Sequence, residues 1–582
     1  MTESARHGGD LVAAVLARHG VRTLFTLCGG HISPILVGAK SAGLRVVDTR
    51  HEANAVFAAD ATARLTGVPG VAAVTAGPGL TNVATAVQNA AMAQSPVVVL
   101  GGATATVLKG RGSLQDIDQQ SLAAPLFKWQ GSAKRVSDLA PLVERALWTA
   151  REGVPGPVFV ECPVDLLYPE ALVREWYGVE KALENPSIAK RLERAYLSFH
   201  LARVFGGRPE TPASGAPPLP APSDADAWAV ARAARALARA ERPVLVVGSQ
   251  ATLLAGEVAA LVDAIERLGV PVWLSGMARG LLGAEHPQLL RHRRKEALKE
   301  ADLVLLAGVP CDFRLDYGRS IGRRTKLVAA NRDRDDLYTN RAPAIAALGD
   351  PALFLRALAE RGGGVERTEW LARLRARDAE REAEIARQAA EPGVGGVNPL
   401  RLLRELDLFL DERALLVADG GDFVGTASYV VRPRSPLGWL DPGVFGTLGV
   451  GGGFALGAAL ARPGSEVWIV YGDGSVAFSL SEFDTFARHG VAAIALVGND
   501  ASWAQIARDQ VPALGDAVGT TLAATDYERA AEGLGGRGLR IERAEEIRPA
   551  LERARELSRA GYPVLINARI ARSGFRKGSI SL

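Results

Sequence analysis

The chain has 582 residues, 48% of them hydrophobic and 23% charged, with 68 Lys and Arg against 64 Asp and Glu for a formal net charge of +4. That length exceeds a single core and fits about three domains at roughly 100–200 residues each, while the composition excludes disordered and fibrous classes. So small a charge balance, with arginines scattered among acids, leaves no footprint for nucleic acid.

In chain order, short apolar runs alternate with longer helical patterns: VAAVTAG from Val71, PVVVLGG from Pro96 and PVFVECP from Pro157. This alternation predicts parallel sheets covered by helices, the α/β class. The stretch Gly206 to Trp228 is rich in Pro, Ala, Ser and Gly without apolar periodicity and reads as linker. A second set follows with RPVLVVGSQ from Arg242, VPVWLSG from Val270, ADLVLLAG from Ala301 and KLVAANRD from Lys326. The highly charged helix from Glu366 to Glu391 has the look of a solvated connector. A third set comprises ALLVADGGD from Ala414, EVWIVYGDGS from Glu466, AAIALVGND from Ala492 and PVLINAR from Pro563. Three doubly wound α/β units are therefore expected. Only Cys28, Cys162 and Cys311 occur, without paired spacing, which fits a reducing compartment. The N-terminus lacks a signal-peptide layout and no apolar run has membrane-spanning length, so a cytoplasmic enzyme without a membrane partner is expected.

The third set carries the strongest chemical signal. One strand runs into Gly472, Asp473, Gly474 and Ser475, and the next into Asn499 and Asp500. Neighbouring parallel strands bring their last residues together at the carboxyl edge, where ligands of doubly wound sheets bind. Oxygen donors of this kind suit magnesium, which in turn holds a diphosphate. Upstream, the glycine-rich run Gly443 to Ala461 starts a helix, and glycine there permits close approach of a ligand.

The GDG...ND spacing resembles the diphosphate-binding motif of thiamine diphosphate (ThDP) enzymes. Together with TAGPGLTN from Thr75, RHE from Arg50 and LCGGHISPIL from Leu27, the chain resembles the acetolactate synthase, oxalyl-CoA decarboxylase and 2-hydroxyacyl-CoA lyase group. The resemblance implies a pyrimidine-binding domain (1–185), a linker (186–227), a central nucleotide- or CoA-binding domain (228–365), a connector (366–396), a diphosphate-binding domain (397–570) and a tail (571–582) placed to act as a lid. It implies thiamine diphosphate and Mg2+ as cofactors, with FAD, ADP or CoA as alternatives for the central domain. It also implies a homodimer at minimum, in which the pyrimidine domain of one subunit faces the diphosphate domain of another, and a homotetramer by expectation.

By the same resemblance, Glu52 engages N1' of the aminopyrimidine, where a carboxyl buried against the ring can share a proton. Asn82 lies near the pyrimidine or the substrate, the Gly446 carbonyl accepts from the 4'-amino group, and Leu448 is either the wedge that bends the cofactor or plain core packing. Gly421, Asp422 and Phe423 match backbone positions that hold the diphosphate, alongside Gly472, Gly474 and Ser475. Metal ligands are Asp473, the Ser502 carbonyl, and either Asn499 (by residue type) or Asp500 (by position). His31 and Gln115 stand where relatives place polar groups facing the reacting carbon, and an imidazole can move a proton near neutrality.

For substrate, the run NDASWAQIARDQV departs from the pattern of acetolactate synthases. Arg279, Arg293 in RHRRKEALK, and Arg572 and Arg576 in the tail are candidates for CoA phosphates. The implied activity is cleavage of a 2-hydroxyacyl-CoA to formyl-CoA and an aldehyde or ketone, with acetolactate synthase or an oxalyl-CoA or 2-oxoacid decarboxylase as the alternative.

Overall fold

The computed structural model describes residues 7–180, 187–206, 217–224, 226–362 and 367–578. The expected linker, connector and lid therefore fall in part outside the described residues. The chain divides into two compact units, one carrying the first sheet and the other the second and third.

In the first unit, six strands, β1 (Thr23–Thr26), β2 (Arg45–Asp48), β3 (Gly70–Val74), β4 (Val97–Ala103), β5 (Trp129–Ser132) and β6 (Val158–Pro163), pair in parallel in the order β2-β1-β3-β4-β6-β5. Helices cover both faces, so β3, β4 and β6 are buried along their whole length and read as unbroken apolar runs. Each fully buried Val or Leu of this kind contributes about 1.5–3 kcal/mol. The order reverses at β1 and β3, and ligands of such sheets bind outside the strand ends at that point.

The second unit opens with a five-stranded parallel sheet, β7 (Pro243–Val247), β8 (Val272–Leu274), β9 (Leu303–Ala307), β10 (Lys326–Asn331) and β11 (Ile345–Leu348), in the order β11-β10-β9-β7-β8. A third sheet follows with β12 (Ala414–Asp419), β13 (Trp439–Leu440), β14 (Glu466–Gly472), β15 (Ile494–Asn499), β16 (Arg537–Ile541) and β17 (Val564–Arg569), ordered β13-β12-β14-β15-β17-β16. That order repeats the first sheet strand for strand and puts its reversal between β12 and β14. The expectation of three parallel α/β layers holds.

The helix Thr368–Ala390 is more than a solvated connector. Its charges do pair outward, Arg373 and Arg377 with Glu300, but Trp370 and Leu374 enter the core of the central sheet while Ile385 and Ala389 enter that of the third. Within 186–227 the structure places a helix, Ile188–Val204, where the sequence reads as linker.

Candidate active site

In the first unit the reversal point brings His31 and Thr75 together: His31 Nδ1 lies 3.2 Å from Thr75 Oγ1. Gly102 at the end of β4 leaves room for the His31 side chain, which a Cβ there would strike. Burial holds the imidazole below its ordinary pKa, so it is neutral at pH 7. Glu52 opens the helix Glu52–Thr66 and is buried, and Asn82 Nδ2 donates to its Oε2 at 3.0 Å. Glu52 and Asn82 thus meet as the sequence grouped them. Gln115 is half-buried in a left-handed turn (φ 61°) whose carbonyl presses on Gly77. Gly77 is itself left-handed (φ 61°), so a side chain there would meet both backbone strain and the Gln115 backbone. Gln119, which sequence reasoning missed, organises this corner: its Oε1 accepts from Gly77 N and its Nε2 donates to Gly102 O and to the buried Glu161.

In the second unit, Asp473 and Asp500 follow β14 and β15, paired in parallel at Gly472 and Gly498. Burial raises Asp473, and burial together with the Asp473 charge pushes Asp500 up to about 7. Two buried carboxylates at one sheet edge, the second held back from ionising by the charge of the first, are donors a hard cation would complete, so the residues present fit a magnesium ion. Asp473 Oδ2 accepts from Ser502 N at 3.2 Å and Oδ1 from Gly474 N at 2.8 Å, which fixes its carboxylate beside the Ser502 turn. Asn499 is occupied otherwise: its amide donates to Thr525 O and to Asn567 Oδ1, both at 3.1 Å, and its Oδ1 accepts from Ala501 N. Ala501, left-handed at φ 53°, turns the chain directly after Asp500.

The surrounding positions take varied parts. Gly421 caps the helix Asp422–Val430, Asp422 pairs with Arg508, and Phe423 packs under β15 against Gly498. Ser475 Oγ donates to Asp419 O and Gly472 O, tying β12 to β14. Gly446 is left-handed (φ 66°) with open space beside it, which leaves room for a ligand ring, and Leu448 next to it is half-buried. The following glycines have another reason: side chains at Gly451 and Gly452 would strike Tyr471, and Ser479 and Glu482, so they serve helix packing rather than ligand approach. Asp419, also missed, is fully buried and accepts from Gly449 N (3.1 Å) and Gly451 N (2.7 Å). It thereby anchors the turn carrying Gly446 and Leu448. Burial pushes it up to about 7. An aspartate closing a strand before two glycines is the signal that could have found it.

Still within the second unit, a cavity of about 840 Å³ is lined by Arg279, Arg291, Arg294, Arg314, Arg381 and Arg576 beside Tyr429. Arg279 Nη1 donates to Ser428 O at 2.9 Å with its guanidinium 5.6 Å from the Trp439 ring. Arg291 pairs with Glu382 at 2.8 Å. Burial lowers Arg279, Arg291 and Arg294, the last also through the neighbouring Arg279 and Arg314 charges. Arg293 lines the same cavity from a more exposed position, paired with Glu296 at 3.3 Å. The tail divides between the two places. Arg572 acts on Asp500 electrostatically, and Arg576 lies over the Tyr429 ring, close enough to Gly425 to exclude a side chain there.

Comparison with known proteins accounts for both halves. Family profiles match in order: the thiamine pyrophosphate enzyme N-terminal TPP binding domain over residues 6–122, the central domain over 230–358 and the C-terminal TPP binding domain over 419–568. A "2-hydroxyacyl-CoA lyase 2" of Danio rerio is 50% identical over 587 residues, covering 100% of this chain and 94% of its own length. A protein of the same name from Homo sapiens is 50% identical over 586 residues, covering 100% and 92%. A "Probable acetolactate synthase" of Mycobacterium bovis is 37% identical over 571 residues, covering 96% and 95%. The chain belongs to the thiamine pyrophosphate enzyme family, and within it to the group of the 2-hydroxyacyl-CoA lyases.

Proposed function

We propose that this enzyme cleaves a 2-hydroxyacyl-CoA between C1 and C2, releasing an aldehyde or ketone and formyl-CoA, and that it runs the reverse condensation. The observation that carries the reading is identity of 50% along the whole chain to 2-hydroxyacyl-CoA lyases, against 37% to an acetolactate synthase. The arginine cavity is in keeping with it, because clustered guanidiniums suit the phosphates of CoA or of ADP.

Bound thiamine diphosphate supplies a nucleophilic carbon that adds to a carbonyl and an electron sink for the bond cleavage that follows. The chain's own residues do the rest. Glu52, oriented by Asn82, holds a proton at N1' of the pyrimidine. His31, neutral and turned by Thr75 at its Nδ1, keeps Nε2 for the proton leaving the 2-hydroxyl, which is later returned to C1. Gln115 orients the hydroxyl or carbonyl. Asp473 and Asp500, with the Ser502 carbonyl, would hold magnesium, and the Gly421 to Phe423 backbone would help to hold the diphosphate. The two half-sites are contributed by different subunits, so a homodimer is the smallest active form and a homotetramer the expected one. Three free cysteines, two of them buried, fit work in the reducing cytoplasm.

A mass-spectrometric screen of 2-hydroxyacyl-CoA esters with thiamine diphosphate and Mg2+ tests this directly. Formyl-CoA should appear together with the chain-shortened carbonyl compound, while pyruvate yields neither acetolactate nor CO2. No formyl-CoA from any ester, or acetolactate from pyruvate, would refute it. Glu52→Gln should remain folded and lose at least about 100-fold in rate.

A further inference from the structure

Two fully buried carboxylates of the first unit, Glu161 and Asp165, take no part in the chemistry assigned above. Glu161 lies on β6 and Asp165 in the short helix Val164–Leu167 that follows it. Both reach the segment between β4 and the helix Gln119–Ala123, which carries Gln115. Asp165 holds the root of that segment: its oxygens accept from Thr106 N, each at 3.0 Å, and Oδ2 also accepts from Thr106 Oγ1 at 2.5 Å and from the Tyr177 hydroxyl at 2.9 Å. Glu161 holds its middle and its end. Lys109 Nζ donates to Oε2 at 2.9 Å, where Ser132 Oγ also donates at 2.6 Å, and Gln119 Nε2 donates to Oε1 at 3.1 Å. Both oxygens of Glu161 are thus engaged, as a buried carboxylate requires.

Gln119 passes this anchorage on to the groups placed at the reacting carbon. Besides Glu161, its buried amide meets Gly77 N at 3.0 Å and Gly102 O at 3.1 Å. These two glycines are where Gln115 and His31 rest on the framework. A Cβ on Gly77 would lie 2.9 Å from the Gln115 carbonyl oxygen, and one on Gly102 would lie 2.5 Å from His31 Cβ. Gln115 itself is held at φ 61°, a conformation that a residue with a side chain keeps only where its surroundings impose it. One amide therefore fixes the backbone under both groups, and one carboxylate fixes the amide. A displacement of about 1 Å in such supports can cost roughly 100-fold in rate, so these fastenings act on the chemical step.

We propose that Gln119 and Glu161 are positioning residues of the cleavage: anchored by Glu161, Gln119 sets His31 and Gln115 in register with each other, while Lys109 pins the Gln115 segment to the same carboxylate. This rests on the reaction proposed above and names what holds its proton-moving and orienting groups. The test follows formyl-CoA release by the full chain, loaded with thiamine diphosphate and Mg2+, from a 2-hydroxyacyl-CoA that the parent cleaves. Gln119→Met should lower kcat about 30-fold, with KM and cofactor affinity within about twofold of the parent's. Lys109→Met, a change at an exposed residue that leaves the core filled, should lower kcat about tenfold, and Lys109→Arg should restore it to within about twofold. Exchange of the proton on the nucleophilic carbon of bound thiamine diphosphate should keep the parent's rate in these variants, because it depends on Glu52. A protein merely loosened would lose exchange and turnover together. Gln119→Met combined with Gln115→Ala should lose clearly less than the product of the two single losses, since one change acts through the other's site. A kcat within about twofold of the parent's in Lys109→Met or in folded Gln119→Met, exchange lost in step with turnover, or fully multiplicative losses overturns the positioning role. Parental kcat in Gln115→Ala would instead remove Gln115 from the proposed reaction, and this proposal with it.

Discussion

Two regions of the second unit crowd like charge, with opposite sign. At the ends of β14 and β15, burial raises the proton affinity of both Asp473 and Asp500, and the Asp473 charge raises that of Asp500 further. In the cavity, Arg279, Arg291 and Arg294 are lowered by burial, and Arg294 further by its arginine neighbours. The cause is shared, but the remedies differ. A carboxylate pair can take up a proton until a cation arrives, whereas guanidiniums stay charged and lean on protein acceptors: Glu382 and the carbonyls of Ser428, Tyr429 and Arg314. The acidic pole can therefore trade charge for protons, whereas the basic pole keeps its charge. Folded proteins tolerate such clusters chiefly where a ligand of opposite charge completes them.

Removing one member of the acidic pair separates the two regions most sharply. Asp473→Asn should weaken Mg2+-dependent binding of thiamine diphosphate by at least about 100-fold and abolish turnover. The ligand-free protein should melt at a higher temperature, because Asp500 then loses its like-charged neighbour. Cofactor binding is read by quenching of tryptophan fluorescence and melting by calorimetry. Parental affinity for metal and cofactor in the variant would remove Asp473 from the site.

How much of this was legible in the sequence follows from the range of each interaction. Strand ends could be read because a buried parallel strand is a continuous apolar run, and that reading placed Asp473 and Asp500 at the ends of β14 and β15, where they are found, whereas Glu52 and His31, which follow the short strands β2 and β1, came only from the resemblance. That the Asn499 amide is engaged by Thr525 and Asn567 could not be read, because those residues lie on other elements. Asp419 was hidden for the same reason, since its partners Gly449 and Gly451 lie beyond the helix Asp422–Val430 and β13. The run Arg291 to Lys299 was visibly basic, yet Arg314, Arg381 and Arg576 reach the same cavity from distant segments. The helix Ile188–Val204 escaped because apolar side chains on both of its faces blur the contrast that marks a surface helix.

The basic pole should respond more mildly. Arg294→Met should raise KM for the CoA ester about tenfold, the worth of a charge-assisted hydrogen bond, with kcat little changed and thiamine diphosphate binding untouched. Arg293→Met should act less, about twofold, because Arg293 is more exposed and already shared with Glu296 and Glu384. Kinetics with a substrate truncated to the pantetheine thioester provide the control, since the Arg294 effect should vanish when the nucleotide phosphates are absent. An equal loss on both substrates would place Arg294 outside the CoA site.

The smallest effect concerns stability, and there only the acidic side should titrate. Asp419 is held protonated up to about pH 7 by burial, against hydrogen bonds from Gly451 and Gly449 that favour its ionised form. In the unfolded chain an aspartate ionises near pH 4, so between about pH 4 and 7 the folded state binds the extra proton. Its contribution is therefore complete below about pH 4, declines as pH rises to about 7 and is flat above, with Asp500 following the same course while no metal is bound. Asp419→Asn should reduce the excess of melting temperature at pH 5 over pH 8 by a few degrees relative to the parent. Mg2+ with thiamine diphosphate should remove the Asp500 share and leave that of Asp419. Arg294→Met should leave the pH slope unchanged, because a guanidinium holds its proton across the whole range. An unaltered slope in Asp419→Asn would mean that this aspartate is ionised in the folded protein and anchors the Gly449 turn as a carboxylate throughout.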